Sequence, residues 1–253
     1  MCPAASDVDI RFKNDATGQG AVITRNSLGP LITHEWFDPA YWGESADKIK
    51  TGGRGGAYVV QTPIGPLLLR QYLRGGLVAP IMKDRYMWHG GNKTRSFTEY
   101  HLTAEAYENG APVPEPIAAM YWRKGRFYRA AILVQFLRDI QTFGAMMIEK
   151  GAAAPWEACG RLISRAHRKG LDHADLNAHN IVFNPRGQGW LIDFDRSAIR
   201  IPDTSWRQKN LERLKRSVLK LAKESDGKLS DDVAEAGYAK LKAAYDHAWS
   251  RGI

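Results

Sequence analysis

The stretch His-Ala-Asp-Leu-Asn-Ala-His-Asn at residues 173–180 is followed by Leu-Ile-Asp-Phe-Asp at residues 191–195. Asp175 and Asn180 lie five positions apart in the first stretch, and Asp193 in the second lies eighteen positions after Asp175. Carboxylates beside an apolar strand are costly to bury unless a metal ion or hydrogen-bond donors compensate their charge. The pattern therefore predicts a chemical site rather than an ordinary surface turn.

The segment between the two stretches predicts a β-hairpin. Apolar residues at 181–183 and 190–192 flank Asn-Pro-Arg-Gly-Gln-Gly at 184–189, a composition typical of a turn between strands. Because a hairpin returns the chain to its starting point, we expect Asp193 to lie next to Asn180.

The spacing is typical of one kind of chemistry. H-x-D-x-x-x-x-N followed by D-F-x matches the catalytic and metal loops of protein-kinase-like phosphotransferases. In that chemistry Asp175 receives the proton of an acceptor hydroxyl, while Asn180 and Asp193 hold Mg²⁺ on the phosphates of ATP. The predicted class is α+β: a two-lobed, protein-kinase-like fold with an antiparallel β-sheet N-lobe and a mainly helical C-lobe.

Composition narrows the choice of partner. The chain has 253 residues, 44% of them hydrophobic and 8 of them Trp, which is enough for a substantial core in one two-lobed domain or for two small domains. The net charge of +9 favours an anionic partner such as nucleic acid, a phosphorylated substrate or a membrane surface. The sequence contains no nucleic-acid recognition motif, so a nucleic-acid partner is not expected.

Three features of the sequence favour a cytosolic location. No apolar run approaches the roughly 18 residues needed to span a bilayer. The first residues lack the basic and apolar regions of a signal peptide. Cys2 and Cys159 are too few for a disulfide framework, as expected in a reducing compartment.

A glycine cluster precedes a strand predicted at 57–62. Gly53, Gly55 and Gly56 belong to Gly-Gly-Arg-Gly-Gly at 52–56, and glycine lets backbone amides approach a phosphate closely. The full G-x-G-x-x-G-x-V pattern is not met. The cluster is therefore either a loop that covers the ATP phosphates or an ordinary flexible turn.

A strand predicted at 66–72 carries the candidate for the basic residue that grips the ATP phosphates. The candidate is Arg70, where kinases of this kind usually have lysine, and arginine can bind phosphate through two hydrogen bonds. Arg74 and Lys83 are competing candidates in a basic and aromatic insertion at 74–95, whose role is open. An arginine that is merely solvated on an exposed strand is the remaining alternative.

The segment 96–106 predicts a helix that supplies the partner of this basic residue. Ser96 as N-cap and Glu99 at the third helical position have the spacing of a capping box. A kinase needs one glutamate on this helix to pair with the strand's basic residue. Glu99 fits that role best and Glu105 is the alternative, but a Glu99 that only caps the helix is also consistent with the pattern.

The remaining elements follow from periodicity and from Gly and Pro signals. Strands are predicted at 9–13, 20–24, 117–122 and 128–136, a short helix after Asp38, and longer helices at 155–170 and 205–224. We predict one domain with an N-lobe at about 1–135, a hinge at about 135–138 and a C-lobe at about 139–253. The basic face of the 205–224 helix is either the solvated side of a packed helix or a surface for anionic lipid.

Several segments together resemble a known family. Residues 173–180 and 191–196, with LRQYLRGG at 69–76, DRYMW at 84–88 and PVPEP at 112–116, are similar to the 3-deoxy-D-manno-octulosonic acid (Kdo) kinases. These are lipopolysaccharide core kinases of Gram-negative bacteria. The resemblance covers roughly residues 50–220, which is most of the chain.

The resemblance implies ATP-dependent phosphorylation of the 4-hydroxyl of a Kdo residue on a lipid A precursor, with ATP and Mg²⁺ as cofactors. It also implies an anionic glycolipid as partner and a peripheral enzyme on the cytoplasmic face of the bacterial inner membrane. No obligate protein partner is evident from the sequence.

Departures from the protein-kinase pattern bear on the acceptor. Ala174 replaces the arginine of H-R-D, which argues against control by phosphorylation of an activation loop, and Asp195 replaces the glycine of D-F-G. The short segment before the next helix leaves little room for docking a peptide, which disfavours a protein substrate. Two alternatives stay open: a kinase for another sugar or small molecule, of the heptose or aminoglycoside type, and a non-catalytic, nucleotide-binding pseudokinase suggested by Arg70.

Overall fold

The computed structural model describes residues 7–14, 18–49, 56–72 and 86–252. The chain divides into two compact units, one of Met1–His101 and Glu115–Phe136 and one of Leu102–Pro114 and Leu137–Ile253. The expected single domain with a hinge at 135–138 stays a prediction.

Strands dominate the described part of the first unit. They are β1 (Asp7–Asn14), β2 (Gly18–Arg25), β3 (Ala46–Lys48), β4 (Ala57–Thr62), β5 (Gly65–Gln71), β6 (Tyr86–Met87), β7 (Pro116–Lys124) and β8 (Phe127–Gln135). All pair antiparallel in one sheet of order β1-β2-β7-β8-β5-β4-β3, with β6 also on β8. The strands predicted from the sequence are thereby confirmed.

Two helices accompany this sheet. Helix α1 (Pro39–Trp42) begins as expected, since the Asp38 carboxylate accepts a hydrogen bond from the amide of Ala40 at 3.0 Å. Helix α2 (Arg95–Glu108) begins in the first unit, and its residues from Leu102 onward belong to the second. Short 3₁₀ helices in the two units lie at Asn26–Leu28, His34–Phe37, Gly43–Ser45, Gly91–Lys93 and Gly151–Ala153.

The alternation of β5 places Arg70 on the sheet. Leu67 and Leu69 are buried in the apolar core of this unit, and successive side chains of a strand point to opposite faces. Arg70 therefore lies on the face opposite Leu69, paired across the sheet with Ile132 of β8.

The second unit is mainly helical. Its helices are α3 (Phe143–Lys150), α4 (Trp156–Arg168), α5 (Thr204–Lys223) and α6 (Asp231–Arg251). Its short strands are β9 (Gln141–Thr142), β10 (Leu171–Asp172), β11 (Ile181–Phe183), β12 (Gly189–Leu191) and β13 (Ala198–Ile199). The predicted hairpin is confirmed as β11–β12, with β9 on the other side of β11, while β10 pairs with β13. The α+β class, with an antiparallel sheet unit and a mainly helical unit, is confirmed.

Helices α4 and α6 pack closely in the core of the second unit. A side chain at Gly160 of α4 would place its first carbon 2.2 Å from the carbonyl oxygen of Leu241, so only glycine allows this approach. Within the described residues no helix is both long and apolar enough to cross a membrane.

His167 of α4 predicts how stability depends on pH. Its Nδ1 lies 3.0 Å from the Tyr245 hydroxyl, and burial, followed by the positive charge of Arg207, lowers the pKa of His167 from 6.5 to about 3. Between pH 6.5 and 3 the unfolded chain therefore binds more protons than the folded chain. We expect the free energy of unfolding to fall below pH 6.5, by up to about 1.4 kcal/mol per pH unit from this group.

Urea unfolding at pH 7.5, 6.5 and 5.5 measures this slope. The variant His167→Asn should lose a large part of the decrease, whereas His247→Asn, at an exposed position of α6, should keep it. Equal slopes for wild type and His167→Asn would show that this ring does not titrate as the structure indicates.

Candidate active site

The 173–180 loop joins β10 to β11 and holds two of the predicted site residues together. The Asn180 side-chain amide donates to the backbone carbonyl of Asp175 at 3.0 Å, and Asn177 donates to the Asp175 carboxylate at 3.1 Å. The Asn177 side-chain oxygen in turn accepts from the backbone amides of His179 and Asn180. These local bonds shape the loop and leave the Asp175 side chain exposed, as a group that must reach a substrate requires.

The backbone brings the third residue, Asp193, beside this loop. The amide of Ile192 donates to the Asn180 carbonyl at 3.0 Å, directly after the β11–β12 hairpin. Asp193 itself has a φ of 65°, which few residues other than glycine adopt. Such a conformation persists where surrounding contacts enforce it, as they often do at functional sites. Asp175, Asn180 and Asp193 thus belong to one constellation, as the spacing predicted.

His173 ties the two segments together. Its Nδ1 accepts from the amide of Asp175 at 3.2 Å, and its Nε2 lies 3.0 Å from the Ile192 carbonyl oxygen, so the ring is neutral with its proton on Nε2. Burial lowers the pKa of His173, although the negative charges of Asp193 and Asp175 oppose this effect. The ring also packs on buried Phe194 at a centroid distance of 5.3 Å. Sequence reasoning did not assign this residue a role.

Helix α5 supports the loop through three side chains that the sequence analysis missed. The Asn210 side-chain oxygen accepts from the amide of His173 at 2.9 Å, and Arg213 donates to the carbonyl of the same residue at 3.4 Å. Ser217 accepts from the amide of Ala178 at 3.2 Å. Residues 210, 213 and 217 recur on one helical face. The sequence did contain one signal for these three residues: they lie next to the apolar stripe of Leu211, Leu214 and Val218, at the edge of the buried face of the helix.

Two arginines of the basic face expected on α5 make contacts within the second unit instead of lying fully in solvent. Arg213 contacts the 173–180 loop, and Arg207 donates to the Tyr245 hydroxyl at 3.0 Å and lies over the Trp249 ring. Periodicity assigned both to the basic face, whereas the structure shows them half-buried.

Asn210 offers a test of this support. Its side chain is buried and also donates to Asp172 at 2.8 Å, just before the loop. We expect Asn210→Ala to lower kcat by roughly 10²-fold, because small misplacements of catalytic groups are costly, with little change in ATP affinity. The free energy of unfolding should fall by about 1–3 kcal/mol.

Steady-state kinetics and denaturant unfolding of the variant measure both effects. Gln208→Ala, at an exposed position of the same helix, is the control. A folded Asn210→Ala protein with the wild-type kcat would show that Asn210 does not position the loop.

The first unit carries the predicted basic residue and its acidic partner. Arg70 donates to the Glu99 carboxylate at 2.8 Å, and the Tyr72 hydroxyl donates to the other carboxylate oxygen at 2.5 Å. Glu99 is buried, whereas the alternative Glu105 is exposed. Burial and the charge of Glu99 raise the pKa of Tyr72. The structure therefore brings Arg70 and Glu99 together, and Tyr72 is a further member that the sequence did not reveal.

The predicted capping box at the start of α2 is wrong. The helix begins at Arg95, and the buried Ser96 hydroxyl donates to the carbonyl of Met120 on β7 at 2.8 Å. The Glu99 carboxylate is held by Arg70, so the alternative in which Glu99 only caps the helix is wrong as well. A strand carbonyl and a half-buried arginine outcompete the local capping pattern.

The glycine cluster is only partly visible. Gly53 and Gly55 lie outside the described residues, as do Arg74 and Lys83. The carbonyl of Gly56 accepts from the amide of Gln71 at 2.9 Å, which places it directly beside the strand of Arg70. Phosphate binding by the cluster stays a prediction.

The donor set fits a magnesium nucleotide. The described residues contain no group of three or more His, Cys, Asp or Glu that could hold a metal by themselves. Mg²⁺ usually takes one or two carboxylates, with substrate phosphates and waters supplying other ligands. Because the Asn180 amide nitrogen is bound to Asp175, its Oδ1 is the atom of this side chain that can serve as a metal ligand.

Comparison with known proteins places this site in a family. The family described as "Lipopolysaccharide kinase (Kdo/WaaP) family" matches residues 39–245. A protein of Xanthomonas axonopodis pv. citri (strain 306) named 3-deoxy-D-manno-octulosonic acid kinase is 48% identical over 238 residues, 94% of each chain. A protein of the same name from Stenotrophomonas maltophilia (strain K279a) is 51% identical over 216 residues, 85% of each chain.

A solved structure of glucosamine kinase (crystal form B) aligns with 97% of this chain and 81% of its own, at 10% identity and a TM-score of 0.48. The family match spans most of the chain and includes the 173–180 loop, Asp193 and the Arg70–Glu99 pair. The chain therefore belongs to the lipopolysaccharide kinase (Kdo/WaaP) family and is a kinase.

Proposed function

We propose that this kinase transfers the γ-phosphoryl group of ATP to the 4-hydroxyl of a Kdo residue on a lipid A precursor, in lipopolysaccharide core biosynthesis. The observation that carries the proposal is 48% identity over 94% of the chain to a protein named 3-deoxy-D-manno-octulosonic acid kinase. The position of the hydroxyl and the lipid carrier come from the resemblance of the sequence motifs to that family.

Asp175 is the catalytic residue of this proposal. Its exposed carboxylate receives or orients the proton of the sugar hydroxyl as the phosphoryl group is transferred. The bonds from Asn177 and Asn180 hold the loop, so that the carboxylate is positioned before the acceptor arrives. Positioning of this kind is where kinases obtain most of their rate, since phosphoryl transfer needs little covalent help.

The other proposed residues bind the nucleotide. Asn180 and Asp193 would hold Mg²⁺, which neutralises charge on the phosphates when it is bound. Arg70, oriented by Glu99, binds the phosphates through its guanidinium, and the amides of Gly53, Gly55 and Gly56 cover them. Glu99 keeps the arginine in one orientation, which a solvated strand arginine would lack.

The proposed partner and location follow from the acceptor. A Kdo-lipid A precursor is an anionic glycolipid, and the net charge of +9 is complementary to it. We place the enzyme peripherally on the cytoplasmic face of the bacterial inner membrane, where such a precursor and ATP would both be accessible.

Transfer of labelled γ-phosphate from Mg-ATP to purified Kdo-lipid A precursor tests the function. We expect label in the lipid with the wild type, and none with a precursor that lacks Kdo or carries 4-deoxy-Kdo. Transfer to a heptose or an aminoglycoside in preference to the precursor would overturn the acceptor. Label in the 4-deoxy compound would overturn the assignment of the hydroxyl.

A further inference from the structure

Ile201 is the most exposed large apolar side chain among the described residues, with 89% of its surface accessible. The backbone around it is firmly held. The Trp206 indole donates to the Ile201 carbonyl at 3.1 Å, and the amide of Arg200 donates to the Gly170 carbonyl at 2.8 Å. The chain therefore presents this isoleucine to solvent from a fixed position.

A cationic recess lies beside Ile201 in the same unit. It has a volume of about 260 Å³ and is lined by Asn109, Arg168, Lys169, Gly170, Arg200 and Pro202. Three of these residues are cationic and none is acidic. Gly170 has a φ of 78°, and a first side-chain carbon there would lie 2.3 Å from the Arg200 carbonyl oxygen, so glycine permits the close approach of the two segments.

The cations of the recess are only partly neutralised. Arg200 donates through Nε to Asp172 at 3.0 Å, which leaves its terminal nitrogens for another acceptor. Arg168 donates to the backbone carbonyls of Ala248 and Trp249 at the end of α6, and its Nε is buried without a hydrogen-bond partner among the described residues. Arg168 therefore adds positive charge beside the recess rather than a free donor. Lys169 is exposed. The recess therefore suits a group with several anionic oxygens, such as a phosphate.

An apolar tip beside a phosphate-binding recess fits the interface of an anionic bilayer. Apolar side chains enter the boundary between headgroups and acyl chains, while nearby cations meet lipid phosphates. A site for a soluble phosphate alone would gain nothing from a fully exposed isoleucine. A protein partner would need an apolar surface much larger than one side chain.

We propose that Arg168–Gly170 and Arg200–Pro202 form a membrane-contact site, in which Ile201 enters an anionic phospholipid surface and a lipid phosphate occupies the recess. The proposal rests on the proposed function in one respect, a lipid-borne acceptor, and specifies the face that meets the lipid. Asp172, which accepts from Arg200, is three residues before Asp175 and so within about 10 Å of it. Docking would hold the proposed base close to the bilayer surface.

Flotation of the full chain with vesicles tests the site. We expect binding to vesicles that contain phosphatidylglycerol and little binding to phosphatidylcholine alone. Ile201→Ser should weaken vesicle affinity about tenfold, whereas Ile64→Ser, at the exposed turn between β4 and β5, should not. Lys169→Gln with Arg200→Gln should weaken it about fivefold per cation.

A double variant on α5 distinguishes the recess from the basic face of that helix. Lys209→Gln with Arg216→Gln, both at exposed positions, should leave binding nearly unchanged. Transfer to a short, water-soluble Kdo acceptor should be unaffected by Ile201→Ser, which separates this proposal from the proposed function. The site would be overturned by no wild-type binding to anionic vesicles, by equal loss in both isoleucine variants, or by loss only in the α5 pair. Binding of inorganic phosphate in the recess without vesicle binding would also overturn it.

Discussion

Replacing Asp175 with asparagine is expected to lower kcat by roughly 10²- to 10⁴-fold, the contribution of a positioned general base. Asparagine has the same shape, and the backbone carbonyl of residue 175 would still accept from Asn180, so the loop should keep its structure. The affinity for Mg-ATP should remain near that of the wild type, because the proposed metal ligands are untouched. Phosphoryl transfer kinetics and direct nucleotide-binding titration measure the two quantities separately.

The control is Asp232→Asn, an exposed aspartate in the first turn of α6. Full activity of Asp175→Asn would remove Asp175 from the mechanism. Loss of nucleotide binding together with activity would instead assign Asp175 to the metal rather than to the acceptor.

Replacing Asp193 with asparagine is expected to abolish the dependence of nucleotide binding on Mg²⁺ and to lower kcat by about 10³-fold or more. A metal that neutralises phosphate charge contributes several kcal/mol to the transition state, and each 1.36 kcal/mol is a factor of ten. Asparagine adopts positive φ at least as readily as aspartate, so the backbone at 65° should be retained. ATP affinity measured with Mg²⁺ and with a chelator shows the effect directly.

Asp226 provides a matched control for this variant, because it is an exposed aspartate with a φ of 52°. Asp226→Asn repeats the substitution in the same region of backbone conformation and should leave kcat and Mg²⁺ dependence unchanged. If Asp193→Asn bound ATP with the wild-type Mg²⁺ dependence, Asp193 would not be a metal ligand.

Local chemistry explains what could be predicted of the site. The turn composition at 184–189 set the β11–β12 hairpin, and the hairpin brings Ile192 to the carbonyl of Asn180. Asp175 and Asn180 are joined within the loop itself, because the Asn177 side chain donates to the Asp175 carboxylate and accepts from the Asn180 amide. Interactions over a few residues depend little on the rest of the molecule, so these parts of the site were visible in the sequence.

The wrong capping-box prediction has a physical explanation: local hydrogen-bond partners compete with partners that are distant in sequence. Ser96 and Glu99 have capping-box spacing, but a strand carbonyl and Arg70 offered partners that a helix terminus could not match. The choice between Glu99 and Glu105 likewise depended on which side of α2 meets β5. Spacing alone does not contain that information.

By itself, the sequence predicted the class of the fold, most of the longer strands, the β11–β12 hairpin, and the grouping of Asp175 with Asn180 and Asp193. It could do so because turns, strand alternation and loop hydrogen bonds act over short distances. Only the tertiary structure showed that Asn210, Arg213 and Ser217 of α5 support the loop. It also showed that the Glu99 carboxylate accepts from both Arg70 and Tyr72. These contacts join residues 27 to 40 positions apart. Which distant groups meet is set by how helices and sheets pack, since buried polar groups take whichever partners that packing brings within reach.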